Sequence, residues 1–148
     1  YFKNESEWDF FEKDPGYFRN ALKYGDTFFY SYLKQTGASV ILDRSYPSEW
    51  VYSKIFMRLS DIKSMEKIDQ LASDIGVKIV IPYRTSYEGL VDQFASITPD
   101  MLKKIEEKYF EFSEWTSCDT LLLNVDSEDL DEEIFEILRF INNKDKEN

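Results

Sequence analysis

The 148-residue chain contains no histidine. That absence removes Ser-His triads, imidazole general bases and histidine metal sites, and leaves chemistry that Asp, Glu, Arg, Lys and a bound ion can carry. The single cysteine, Cys118, excludes an intrachain disulfide and fits a reducing, cytoplasmic setting. With no cationic neighbour in sequence, its thiol is expected to be inert. No apolar run approaches the roughly 20 residues of a membrane span and no signal-peptide pattern is visible, so no membrane partner is expected. Positive charge is scarce: 18 Lys and Arg against 29 Asp and Glu give a net charge of −11. Such a surface repels polyanions, which argues against a broad nucleic-acid-binding face and leaves room only for a local cationic pocket.

What is present is a dense apolar complement. Hydrophobic residues make up 43% of the chain, with three Trp, ten Tyr and twelve Phe. That content excludes a disordered chain and, at this length, fits one domain over residues 1–148. Asp14 and Pro15 read as N-cap and first position of a helix running toward Leu33, with Gly25 as its weak point. Ala38–Leu42 is a short, mainly apolar run, and the first strand is expected at about residues 38–43. Helices are expected from Pro47 to Met57 and from Asp61 to Ile75, the second stopped by Gly76. Val77–Pro82 reads as a second strand and residues 85–96 as a polar loop with a short helix. Thr98-Pro99-Asp100 caps a helix to Trp115 whose Leu102, Ile105, Tyr109 and Phe112 face inward. Thr120–Val125 reads as a third strand. Asp129 and Glu132 form a capping box for a last helix striped with Leu130, Ile134, Ile137, Leu138 and Ile141, before a fraying tail. Strands alternating with helices predict an α/β fold, a parallel sheet covered by helices on both faces, though three strands are few for that architecture.

Chemistry in such sheets gathers outside the carboxyl ends of the strands. Two of the five arginines fall there: Arg44, in Asp43-Arg44 after the first strand, and Arg84, in Tyr83-Arg84 after the second. Guanidinium forks at rigid positions suit phosphate, and phosphoryl transfer depends mainly on positioning and charge neutralisation. Pro47 suits the helix start that follows Asp43-Arg44-Ser45. Arg139 reads as a surface residue near a helix end. Phe28, Phe29, Tyr30 and Tyr32 read as core or interface rather than a base-binding wall, and Trp8 and Trp115 as packing residues. The acidic run from Asp126 to Glu133 lacks the spacing and glycine of a calcium loop, so no metal ligands are assigned there.

The stretch Gly37-Ala38-Ser39-Val40-Ile41-Leu42-Asp43-Arg44-Ser45-Tyr46-Pro47-Ser48-Glu49-Trp50-Val51-Tyr52 resembles the thymidylate kinases, with their glycine, strand, Asp-Arg-Tyr, later Ser and then an aromatic residue. Asp43-Arg44-Ser45 is similar to the acidic-Arg-Ser motif of the related deoxynucleoside kinases, and Thr120–Ile141 to the last strand and helix of that superfamily. The resemblance implies that Arg44 grips the acceptor's phosphate, that Asp43 orients the acceptor or the magnesium shell, and that Ser48 and Tyr52 line the acceptor pocket. It places Phe18 near the family's base-stacking position, with Arg19 or Lys23 standing in for the arginine that follows it. Arg84 would match the lid arginine. Asn124, Asp126 and Ser127 would occupy the adenine-contacting loop.

One part of the family pattern is missing. No Gly-Lys-Ser/Thr phosphate loop occurs among the five glycines, and in the family that loop follows the first, central strand. Residue 1 is Tyr, and the expectation is that a preceding segment carries the central strand and the phosphate loop. The resemblance thus implies a P-loop kinase-like fold and transfer of the γ-phosphoryl of Mg-ATP, with ATP and Mg²⁺ as cofactors, to a deoxynucleoside monophosphate or deoxynucleoside. It also implies a homodimer, since thymidylate kinases commonly form one. The alternative is a non-catalytic nucleotide-binding or oligomerisation module. A third reading, a kinase of modified bases or nucleic-acid ends, is disfavoured by the charge.

Overall fold

The computed structural model describes residues 15–57, 61–87 and 98–142, and residues 15–23 by their backbone alone. Asp14, Trp8, Arg58, the short helix expected before Ser96 and the terminal tail lie outside the described residues. Five helices and two parallel strands are found among those described: α1 (Pro15–Thr36), α2 (Tyr46–Ile55), α3 (Ile62–Asp74), β1 (Lys78–Tyr83), α4 (Pro99–Trp115), β2 (Asp119–Asn124) and α5 (Leu130–Asn142). The chain is thus a mixed α/β protein.

Each end has a local cause. Helix α1 runs 22 residues, roughly 33 Å, straight through Gly25. It stops at Gly37, whose φ of +64° is open to glycine at little cost and whose N–H reaches the Leu33 carbonyl at 2.8 Å. Asp61 caps α3 by accepting from the Ser64 N–H at 3.1 Å. At its other end Gly76, at φ +75°, lets its own N–H reach the Ser73 carbonyl while that of Val77 reaches Ala72, a Schellman closure. Thr98 caps α4 by accepting from Met101 N–H at 3.2 Å, with Pro99 in the first turn. Asp129 accepts from the N–H groups of Asp131 and Glu132 at the start of α5, so its side-chain half of the expected capping box is formed.

Strands β1 and β2 pair parallel from Lys78 opposite Asp119 to Tyr83 opposite Asn124, joined by the crossover that contains α4. The core lies where α2 packs on α4 and α1 on α3. Tyr30, Tyr46, Phe112 and Trp50 continue through it as edge-to-face rings 5.5–6.0 Å apart. Trp115 packs beside Trp50 and Phe112 as expected. Buried Asp69 on α3 accepts from the Tyr46 hydroxyl and the Ser117 N–H, both at 2.7 Å, and from the Thr116 hydroxyl. One carboxyl group therefore ties α3 to α2 and to the turn before β2.

Two expectations are corrected. Residues 38–42 form no strand: Val40, Ile41 and Leu42 are 48%, 99% and 44% exposed. A strand exists through the ladder that pairs it, and among the described residues none lies beside this segment. The sheet accordingly has two strands there rather than three. Helix α5 has its apolar stripe but buries no residue, leaving Leu130, Ile134, Phe135, Leu138 and Ile141 at least half exposed. The aromatic cluster of α1 divides by helical phase: Tyr30 is buried and Phe29 packs on the core, while Phe28 and Tyr32 face outward.

Candidate functional site

Helix α2 is the spine of the site. Ser45, Ser48, Glu49 and Tyr52 stand at i, i+3, i+4 and i+7, one face of the helix. The opposite face holds Tyr46, Trp50, Val51 and Ser53 in the core, so this face is fixed by burial of the other. Ser45 is the N-cap by position, but its hydroxyl does not cap: it meets the Tyr30 hydroxyl at 2.8 Å instead. Pro47 lacks an N–H. The start of α2 therefore has a helix-dipole end with no side-chain cap.

Arg44 lies directly before this end. Its φ of +71° is a left-handed value that costs a non-glycine residue roughly 1–2 kcal/mol. Its guanidinium carbon sits 5.9 Å from the centre of the Tyr52 ring. In a chain with 29 acidic residues, Arg44 has no carboxylate partner among the described residues. Asp43 beside it is exposed.

Two neighbouring helices complete the surroundings. From α4, the Tyr109 hydroxyl lies 3.0 Å from the Ser48 hydroxyl. Burial raises the Tyr109 phenol, the Ser48 contact and the Arg44 charge pull it partly back, and the Tyr52 side chain pushes it up. From α1, Asp26 faces Glu49, and burial first, then the Glu49 charge, raises its carboxyl to about 6. Burial also pushes the Tyr30 phenol up to about 12. Nothing in the sequence marks Asp26, Glu49 or Tyr109 as site residues. Tyr109 reads there as one more inward position, and only its hydroxyl, unneeded in a purely apolar stripe, hints otherwise.

The structure brings Arg44, Ser48 and Tyr52 together, with Asp43 alongside. The side chains of Phe18, Arg19 and Lys23 lie outside the described residues, although positions 19 and 23 align with Asp26 and Tyr30 along α1. The remaining candidates gather at the carboxyl ends of β1 and β2. Arg84 is paired with Glu128 at 3.1 Å. Asp126 accepts from the Thr85 N–H at 3.0 Å and from its hydroxyl at 2.6 Å, and these contacts hold its carboxyl below the usual range. Asn124 accepts from the Asp126 N–H at 2.8 Å. Arg44 and Arg84 share no hydrogen-bond partner among the described residues.

A cleft of about 310 Å³ opens beside Asn124, Asp126 and Ser127. Its volume admits a purine base, but Asp126, Glu132, Glu133 and Glu136 also line it. The guanidinium on the adjoining loop, Arg84, is already tied to Glu128. These residues do not fit a triphosphate or supply a cradle for one.

No protein-family model, curated protein or solved structure matches the chain. No helix among the described residues is long and apolar enough to cross a membrane.

Proposed function

We propose that the protein is a phosphotransferase of the thymidylate kinase and deoxynucleoside kinase group, transferring the γ-phosphoryl of Mg-ATP to a deoxynucleoside monophosphate or deoxynucleoside. The observation that carries this reading is Arg44. A guanidinium without a carboxylate partner among the described residues, held in a left-handed backbone over Tyr52 at the uncapped start of α2, is a receptor for an anion attached to a flat ring. Arg44 and the helix end would take the acceptor's phosphate. Tyr52 would carry its sugar or base and Ser48 would add a hydroxyl contact. Asp43 is the carboxylate beside the reacting end, and Arg84 would neutralise the transferred group once released from Glu128.

The parallel β1–α4–β2 unit fits the reading. So does the exposed apolar segment Val40–Leu42, because the reading places a further strand between that segment and β1, carrying the phosphate loop that the ATP phosphates and Mg²⁺ require. The acidic cleft at the end of β2 would then accept only the adenine end of ATP.

The test is a coupled ADP-release assay on the full-length natural protein, with ATP, Mg²⁺ and a panel of deoxynucleosides and their monophosphates. Turnover with one acceptor establishes the activity and names the substrate. Nucleotide binding without turnover supports a second reading, a binding or oligomerisation module. A specific surface favours that alternative: Phe28 and Tyr32 project from α1 with uncharged Thr27, Ser31 and Gln35 around them. In a chain of net charge −11, a charge-free aromatic face is where two copies can approach without repulsion. Sedimentation of wild-type protein against Phe28→Glu checks that dimer. An unchanged sedimentation coefficient would exclude this face as its interface.

A further inference from the structure

Resting on the kinase reading above, we propose that Tyr109 is a positioning residue: by donating its phenolic proton to Ser48, it turns the Ser48 hydroxyl into a donor for the phosphate of a nucleoside monophosphate bound at Arg44. The two hydroxyl oxygens are 3.0 Å apart. Two hydroxyls in contact use one proton between them and leave the other O–H free. A phenol is more acidic than an aliphatic alcohol, hence the better donor and the poorer acceptor. The favoured arrangement therefore has Tyr109 donating and the Ser48 proton free. Burial, which raises the phenol, keeps that proton in place at neutral pH.

The free proton lies where an anion would use it. Ser48 is one turn before Tyr52 on the same face of α2, the Arg44 guanidinium lies over that ring, and the Arg44 charge acts on Tyr109 itself. A phosphate offers several oxygens, enough to accept from Arg44 and from Ser48 together, and charge-assisted bonds are the stronger kind. The 5′-hydroxyl of a nucleoside offers one neutral oxygen. The Tyr109–Ser48 relay accordingly selects the monophosphate over the nucleoside, a choice that the sequence leaves open. A phenol donating into a second donor also polarises it, so the outer bond is stronger than Ser48 alone would make.

The experiment is calorimetric titration of the full-length natural protein with the four deoxynucleoside 5′-monophosphates and the four deoxynucleosides. It compares wild type with Tyr109→Phe, Ser48→Ala, the double variant and Arg44→Ala. Tyr109→Phe and Ser48→Ala are each expected to weaken the monophosphate by about three- to tenfold. Nucleoside affinity should stay within about twofold, and the double variant should be no weaker than Ser48→Ala, since the phenol acts through that hydroxyl. A merely structural link between α2 and α4 would weaken both ligands equally. Equal losses, additive losses in the double variant, or unchanged monophosphate affinity in Tyr109→Phe overturn the proposal. Arg44→Ala separates this from the reading beneath it. If that variant binds monophosphate like wild type, or if wild type binds none, the kinase reading fails. A loss in Arg44→Ala with none in Tyr109→Phe removes Tyr109 alone.

Discussion

Asp69 joins α3 to α2 and to the turn before β2 through one carboxyl group, so its loss should cost the fold stability. Replacing it with Ala strands three donors. The Tyr46 hydroxyl is fully buried and keeps as neighbours the Cys118 sulfur at 3.5 Å, a weak acceptor, and the Thr116 hydroxyl. Burial pushes that phenol far above its ordinary value, so it stays a donor at every working pH. The Thr116 hydroxyl and the Ser117 N–H are only partly shielded, and water can replace much of what they lose. One buried hydroxyl reduced to weaker partners at about 1–2 kcal/mol and two half-solvated groups at about 0.5–1 kcal/mol each give a loss of about 3 kcal/mol. For a chain of this size that lowers Tm by roughly 6–12 °C.

Asn behaves differently because its amide can turn. With its oxygen toward the Ser117 N–H and its NH₂ toward the two hydroxyl oxygens, Asn keeps three contacts while the Tyr46 proton turns to the Cys118 sulfur and the Thr116 proton to water, so Asp69→Asn should cost less than Ala, about 1–2 kcal/mol. Urea unfolding followed by tryptophan fluorescence reads both values, with m unchanged if only stability has moved. An Ala variant within about 1 kcal/mol of wild type, or an Asn variant as damaged as Ala, would refute the argument that donor satisfaction at Asp69 holds α3 to α2 and to the turn before β2.

Other consequences follow from single positions. Arg44→Gly relieves a left-handed strain of roughly 1–2 kcal/mol and adds back roughly 0.5–1 kcal/mol of glycine entropy, so it should raise stability by about 0.5 kcal/mol while weakening monophosphate binding. Thermal unfolding paired with titration checks this, and a destabilised variant would show that Arg44 serves the fold. Asp26 has its folded pKa raised to about 6 against an unfolded value near 3.8. The folded state therefore binds that proton more tightly, and the penalty of the charged form is absent below about 4, grows between 4 and 6, and is complete above 6. Asp26→Asn should accordingly be more stable than wild type at pH 7 and lose the advantage as pH falls from 6 to 4. A Tm difference that ignores pH would show that Asp26 is not strained. Gly25 sits inside α1, where an added Cβ meets nothing within 4 Å, and Gly25→Ala should stabilise by about 0.5–1 kcal/mol in thermal unfolding. A fall in Tm would mean that the outer face of α1 is already covered.

Much of the fold is legible in local chemistry. Thr98-Pro99 and Asp129 announce helix starts because a cap acts within four residues. Gly76 announces a helix end because the left-handed turn it makes needs no partner elsewhere. The strands at 78–83 and 119–124 could be read from short apolar runs after helix ends. The run at 38–42 has the same local character yet forms no strand, because a ladder is not a property of one segment. Likewise α5 shows a clear apolar stripe, and nothing in that stripe says whether anything will cover it.

The candidate site divides along the same line. By itself the sequence determined Asp43-Arg44 ahead of a Pro-started helix, and with it Ser48 and Tyr52 on one face, because helical spacing is a short-range rule. Only the tertiary structure decided that Tyr109, 61 positions from Ser48, meets its hydroxyl, that Asp26 is raised by burial and then by the Glu49 charge, and that Arg84 is held by Glu128. Those pairings depend on how α1, α2 and α4 stack and how the loops after β1 and β2 meet. That stacking is set by burial of Tyr46, Trp50 and Phe112 across the whole core and not by any stretch of the chain that can be read alone.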